Sequence, residues 1–219
     1  MQSKHGCAEG SPRTERPQAA QWGLVTTAQA VRRGVSRLYL SRLADAGLLE
    51  RVGQGVYRAA GVPADRLEPL KVAWVSINPK LTASERTQPS VPDAVVSGSA
   101  AAFLHGLGDL VPEPYEFTVS KRRQTQRQEL RFRVRQLPAV SVTLRDGLPV
   151  TTVEQTIADL IEARTDRSLV ASVLADAGSL DLPRMTELLG PLAPRNGFAS
   201  GEAFIDDLEH LSRPARQEA

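Results

Sequence analysis

A few side chains in this chain of 219 residues are of types that do chemistry elsewhere, and their spacing decides what each group can do. Gly98-Ser99 followed by Asp109 opens like a site for metal-assisted nucleotidyl transfer, where a Gly-Ser turn cradles phosphates and paired acids hold magnesium. Asp109 is followed by Leu110 and Val111, so the second carboxylate is missing and the pairing fails. Ser97, Ser99 and His105 have the types of a hydrolase site, but there is no Gly-x-Ser-x-Gly elbow and no acid is singled out as partner. His105 is expected to cap or pack the end of its own helix. Glu154 and Asp159 stand five apart on an expected helix and so point in different directions. The single cysteine, Cys7, makes no intramolecular disulfide, and with His5, His105 and His210 it offers no metal-ligand spacing. The sequence therefore predicts no catalytic residue, no metal and no cofactor.

What remains is charge, and its placement is informative. The formal net charge is only +2, but residues 21–61 carry Arg32, Arg33, Arg37, Arg42, Arg51 and Arg58 against Asp45 and Glu50, a local +4. Residues 121–135, KRRQTQRQELRFRVR, carry seven basic groups against Glu129, a local +6. Residues 62–120 come to −3 and residues 136–219 to −6. Two basic segments on an acidic body point to a polyanionic partner.

The first basic segment has the elements to position its charges. Thr26 and Gln29 have capping-box spacing for a helix through about Arg33, which Gly34 ends. Ser36 then caps a second helix, Arg37 to about Ala46, stopped by Gly47. On that helix Leu40, Leu43, Ala44 and Gly47 share the inward face, and Leu38, Ser41, Arg42 and Asp45 face out, flanked by Tyr39. LLERV and VYR, separated by GQG, read as a hairpin, the wing of a winged helix-turn-helix. Arginine forks pair with guanine O6 and N7 in a major groove, and hydroxyls and amides satisfy phosphates and other base edges. The candidate DNA-binding residues are Ser36, Arg37, Tyr39, Ser41 and Arg42 on the helix and Arg51, Gln54 and Arg58 on the wing. Winged helices also serve as protein-protein modules, a reading the local +4 disfavours.

After Gly61 a helix is expected over DRLEPLKVAWVSI, with Leu67, Leu70, Trp74 and Ile77 inward. A loop is expected over Lys80 to Asp93, then a short strand running into the helix of AVVSGSAAAFLHGLGDL. YEFTVS, RFRVRQL and AVSVTL read as strands. Arg131, Arg133 and Arg135 at period two share one face of the second. With Lys121, Arg122 and Arg123 they form either a solvated face covering acidic neighbours or a second nucleic-acid surface. Thr152 and Gln155 again have capping-box spacing ahead of the stripe Val153, Ile157, Leu160 and Ile161, and helices follow from about Ser168. The fold class is α+β: an N-terminal winged helix-turn-helix followed by a mixed α/β domain with a small sheet and C-terminal helices. Residues 1–20 read as a disordered tail, 21–61 as the DNA-binding domain and 62–219 as the second domain.

In this order and spacing, RRGVSRLYLSRLADAGLLERVGQGVYR, VVSGSAAAFLHGLGDLVPEPYEFTVSKRR and GLPVTTVEQTIADLIEA resemble the AbiEi family of antitoxins from type IV bacterial toxin–antitoxin systems. The resemblance covers roughly residues 22–163. It implies a DNA-binding antitoxin that represses its own operon at inverted repeats and counteracts a nucleotidyltransferase toxin without necessarily binding it. It also places Ser36, Arg37, Tyr39, Ser41 and Arg42 on the recognition helix and Arg51, Gln54 and Arg58 on the wing. Some longer relatives append a nuclease-like domain, whose strand-borne acid and Glu-x-Lys arrangement are not seen in this sequence. Two alternatives stand beside this reading: a module that inhibits a partner toxin directly through the acidic C-terminal helices, and a divergent nucleotidyltransferase. No run approaches the roughly 18 apolar residues of a membrane span, and the first residues lack the apolar core of a secretory signal. A cytoplasmic protein with no membrane partner is expected.

Overall fold

The computed structural model describes residues 21–212, so the reading of residues 1–20 as a tail lies outside the described residues. The chain begins with strand β1 (Leu24–Thr26), helix α1 (Thr27–Arg32) and helix α2 (Arg37–Asp45), followed by the hairpin of β2 (Leu49–Gly53) and β3 (Val56–Ala59). Thr26 accepts from the Gln29 amide while the Gln29 side chain accepts from the Thr26 amide, which closes the expected capping box at the start of α1. Gly34 turns the chain at φ 83°, a conformation that costs a side-chain-bearing residue, and Ser36 caps α2 through the Tyr39 amide. β1 pairs with β3 and gives a three-stranded sheet of order β1-β3-β2.

Next come α3 (Glu68–Ile77), α4 (Ala83–Thr87), β4 (Ala94–Ser97), α5 (Gly98–His105), β5 (Tyr115–Val119), β6 (Leu130–Val134), β7 (Val142–Arg145) and β8 (Leu148–Thr151). The five strands form a mixed sheet of order β6-β5-β4-β8-β7. Helices α6 (Val153–Glu162), α7 (Arg167–Asp176), α8 (Leu182–Leu189) and α9 (Gly201–Ser212) complete the described chain. Two expectations need correction. The segment from Lys80 to Asp93 is not all loop, because Thr82 and Glu85 close a second capping box and start α4. The residues ahead of α6, where no strand is expected, form one, because Leu148–Thr151 pairs with both β7 and β4.

One apolar core joins residues on both sides of Gly61. Leu24 of β1 and Val56 of β3 are buried with Leu70 and Trp74 of α3, Val96 of β4 and Phe117 of β5. Trp22 packs edge-on against Trp74, with ring centroids 6.1 Å apart, and donates its indole N–H to the Asp146 carbonyl. Gln29 donates to the Leu81 carbonyl, and Thr26 to that of Pro79. The winged helix is thus seated on the rest of the chain by buried surface and by side-chain hydrogen bonds to backbone carbonyls. A second core, built on Ile157, Val170, Met185, Leu189, Phe204 and Leu208, holds the C-terminal helices together.

Candidate nucleic-acid interface

The sequence pattern of α2 divides it as expected except at Gly47, which is exposed in the turn after the helix instead of facing inward. Leu40 is buried and Leu43 and Ala44 half-buried, while Ser36, Arg37, Leu38, Ser41, Arg42 and Asp45 are exposed. The Ser36 hydroxyl is engaged as the helix cap, leaving its own O–H to donate outward. Tyr39 is exposed beside that outward face, where it lines the groove between α1 and α2 with Val25, Val35 and Leu43.

The wing carries its residues on two faces. Arg51 and Gln54 are exposed, Gln54 at the hairpin tip where Gly55 adopts φ 68°. Arg58 departs from expectation. It lies opposite Glu50 across the β2–β3 ladder, on the face that meets α3, and its guanidinium is held by Glu50 and, at 2.6 Å, by Glu68 at the start of α3. Those hydrogen bonds raise its pKa, and the side chain is committed to bracing the wing rather than reaching a phosphate. Strand alternation turns Arg51 to the opposite face, away from these carboxylates.

Four arginines of this unit, Arg33, Arg37, Arg42 and Arg51, form no ion pair with any described residue. Arg33, at the C-cap of α1, is a site candidate that motif reasoning passes over and that the charge count alone would have found.

The second basic segment is arranged differently. Arg131 and Arg133 share one face of β6, with Arg135 just past its end, while Phe132 between them packs against the core on the other. Arg131 pairs at 3.0 Å with Glu116, its neighbour on β5. Arg133 meets Glu162 of α6 at 2.8 Å, and Arg135 meets Asp159 at 2.7 Å as well as Glu162. Asp159 is fully buried, and burial pushes its carboxyl above its ordinary range despite the two arginines beside it. Arg123 donates to the Ile77 carbonyl and to Asp93, so only Lys121 and Arg122 of the six expected cations stand exposed without an ion pair among the described residues. The row that begins on β6 thus lies against the acids of β5 and α6.

Among the residues that resemble enzyme sites, Gly98, His105 and Glu154 contact neighbouring elements. Gly98, at φ 58°, lets the Glu116 carboxylate lie against the start of α5, in space that a side chain at this position would fill. His105 is buried, with Nε2–H donating to the Thr151 carbonyl at 2.7 Å, and Asp109 is exposed in the loop after α5. Glu154 accepts from the Asp181 amide, far in role from the buried Asp159. Among the described residues no cluster of His, Cys, Asp or Glu could hold a metal ion, and no helix is long and apolar enough to cross a membrane.

Two helices joined by a tight turn and backed by a three-stranded sheet with a hairpin wing define the class: a winged helix-turn-helix. Residues 18–60 match the family model of a transcriptional regulator, the AbiEi antitoxin. Among solved structures, the RV2827C protein from Mycobacterium tuberculosis is similar at 15% identity and a TM-score of 0.42, over 88% of this chain and 77% of that one. No curated protein matches the chain.

Proposed function

We propose that the protein is a sequence-specific DNA-binding antitoxin of type IV, which represses its own toxin–antitoxin operon in the cytoplasm and counteracts a nucleotidyltransferase toxin without an obligatory complex. In this reading residues 21–61 read operator DNA with inverted repeats, and the remainder of the chain carries the antitoxic role. The observation that supports it most is the set of unpaired arginines at the outward surface of α1, α2 and the wing. Four guanidiniums without carboxylate partners among the described residues, in one small unit, are available for phosphates and base edges. Arg42 contacts a guanine, Arg37 and Ser36 hold the backbone at the start of α2, and Tyr39 and Ser41 assist. Arg51 and Gln54 track the adjacent phosphates.

The test is binding to duplex DNA from the protein's own promoter region. Arg42→Ala should lose about 10- to 100-fold in affinity, the worth of a bidentate base contact, with unchanged stability. An Arg42→Ala protein that binds as tightly and selectively as the parent would remove α2 from the recognition role. A second reading, direct inhibition of the toxin, draws on the groove between α8 and α9, where Glu202, Asp206 and Glu209 flank Leu182 and Ile205. Co-purification with the toxin would favour it, and toxin rescue without a complex would count against it.

A further inference from the structure

The outward face of α2 is polar except at one position. Leu38 is 63% exposed, beside Ser41, Arg42 and Asp45, while packing of the helix falls to Leu40, which is 3% exposed, and to the half-buried Leu43. A single exposed leucine is unremarkable on an ordinary surface. Here it lies one helical turn before Arg42, on the same face, and it carries neither donor nor acceptor.

Resting on the DNA-binding reading above, we infer that Leu38 makes the protein selective for a C5-methylated pyrimidine, in ordinary DNA a thymine, next to the base that Arg42 reads. Residues four apart on a helix have Cβ atoms about 5–6 Å apart. Successive bases are spaced by roughly 3.4 Å, so the two side chains meet pairs one or two steps apart. In the major groove every base presents hydrogen-bonding atoms, but thymine alone adds a methyl group. A leucine at that point buries the methyl and leaves the cytosine amine, which would lose its water, without a partner. Arg42 and Leu38 thus select by opposite means, one by donating to an acceptor pair and the other by apolar contact.

The full-length protein is first used to select its preferred duplex from a random pool. The selected duplex is then remade with each thymine in turn replaced by deoxyuracil, which removes the methyl and keeps the pairing. One thymine per half-site, within two pairs of the guanine contacted by Arg42, should show about a fourfold loss on this change, the worth of one buried methylene. In Leu38→Ala the thymine-to-uracil ratio at that position should fall to about one, while dependence on the Arg42 guanine persists. Leu38→Met, apolar and of similar reach, should keep the ratio. Cytosine and 5-methylcytosine at the same position repeat the comparison with the methyl on a different base. Selective binding without methyl dependence, or methyl dependence that Leu38→Ala retains, overturns the role of Leu38 and leaves DNA binding standing. Absence of any selective binding overturns the DNA-binding reading and this inference with it.

Discussion

The two arginine-rich regions have similar composition and opposite fates. In the winged helix Arg33, Arg37, Arg42 and Arg51 reach the surface without a carboxylate partner among the described residues. In residues 121–135, Arg123, Arg127, Arg131, Arg133 and Arg135 are each paired, to Asp93, Glu129, Glu116, Glu162 and Asp159 respectively. A count of charges along the chain therefore measures what the chain carries and not what it presents. The more basic segment, at +6, is the one whose charge is largely spent inside the molecule. Its arginines tie the edge strand β6 to α6, to β5 and to the end of α3.

The sharpest way to break this comparison is to remove the acid at its centre. Asp159 is fully buried and accepts from Arg135 at 2.7 Å and from the Gln155 side chain at 3.1 Å. Asp159→Ala leaves Arg135 and Arg133 with only the more exposed Glu162. Removing one partner of a buried pair is far costlier than the pair's net worth, because the remaining charge stays desolvated. Urea unfolding should show a loss of about 3 kcal/mol, with unchanged DNA affinity in the fraction that remains folded. A stable Asp159→Ala protein with changed DNA affinity would mean that the β6 row belongs to the recognition surface after all.

Why the first region was legible and the second only in part follows from the range of the interactions involved. Thr26 with Gln29, Ser36 with the Tyr39 amide, and the GQG turn are all local, and local spacing fixes them. Strand β1 is three residues long, and its partner β3 lies some thirty positions on, so no periodicity announces it. Pro149 hides β8, and α4 is a five-residue helix whose only signal is the Thr82 and Glu85 box. The partners of the arginines are non-local too. Arg58 takes Glu68 from ten residues away, Arg131 takes Glu116 from fifteen and Arg133 takes Glu162 from twenty-nine. Period two placed Arg131, Arg133 and Arg135 on one face, but the acids that face them came from packing that no window of sequence contains.

Arg131 sharpens the comparison, because its side chain is 64% exposed although it is paired with Glu116. An exposed pair of this kind contributes at most about 1 kcal/mol. Each phosphate contact contributes roughly 0.9 to the slope of log affinity against log salt. Arg51→Ala should lower that slope by about this amount, and Arg131→Ala should leave it unchanged. Equal reductions in both variants would extend the footprint from the wing to β6 and join the two regions into one surface.

The smallest expected effect separates the regions by pH. Between about pH 7 and about pH 5 the ordinary titrating side chain is histidine, and residues 21–61 contain none, so the proposed recognition surface carries no histidine to titrate there. Outside both regions lies His105, buried between α5 and the end of β8. A carbonyl can only accept, so the bond to Thr151 fixes the proton on Nε2, and Nδ1 is buried without a partner. Burial holds the imidazole below its ordinary value of 6.5, outweighing the bond to the carbonyl that acts the other way. The folded protein therefore resists a proton that the unfolded chain accepts. The stability this gives is fully present above the unfolded value and declines as pH falls from there towards the depressed folded value. The urea midpoint should fall across this window, and His105→Gln, which keeps a donor for Thr151 but takes no proton, should flatten the fall. DNA affinity at constant salt should stay level over the same range in both proteins. A histidine-dependent loss of affinity with acid would show instead that the packing of α5 and β8 is transmitted to α2 through the core that the winged helix shares with them.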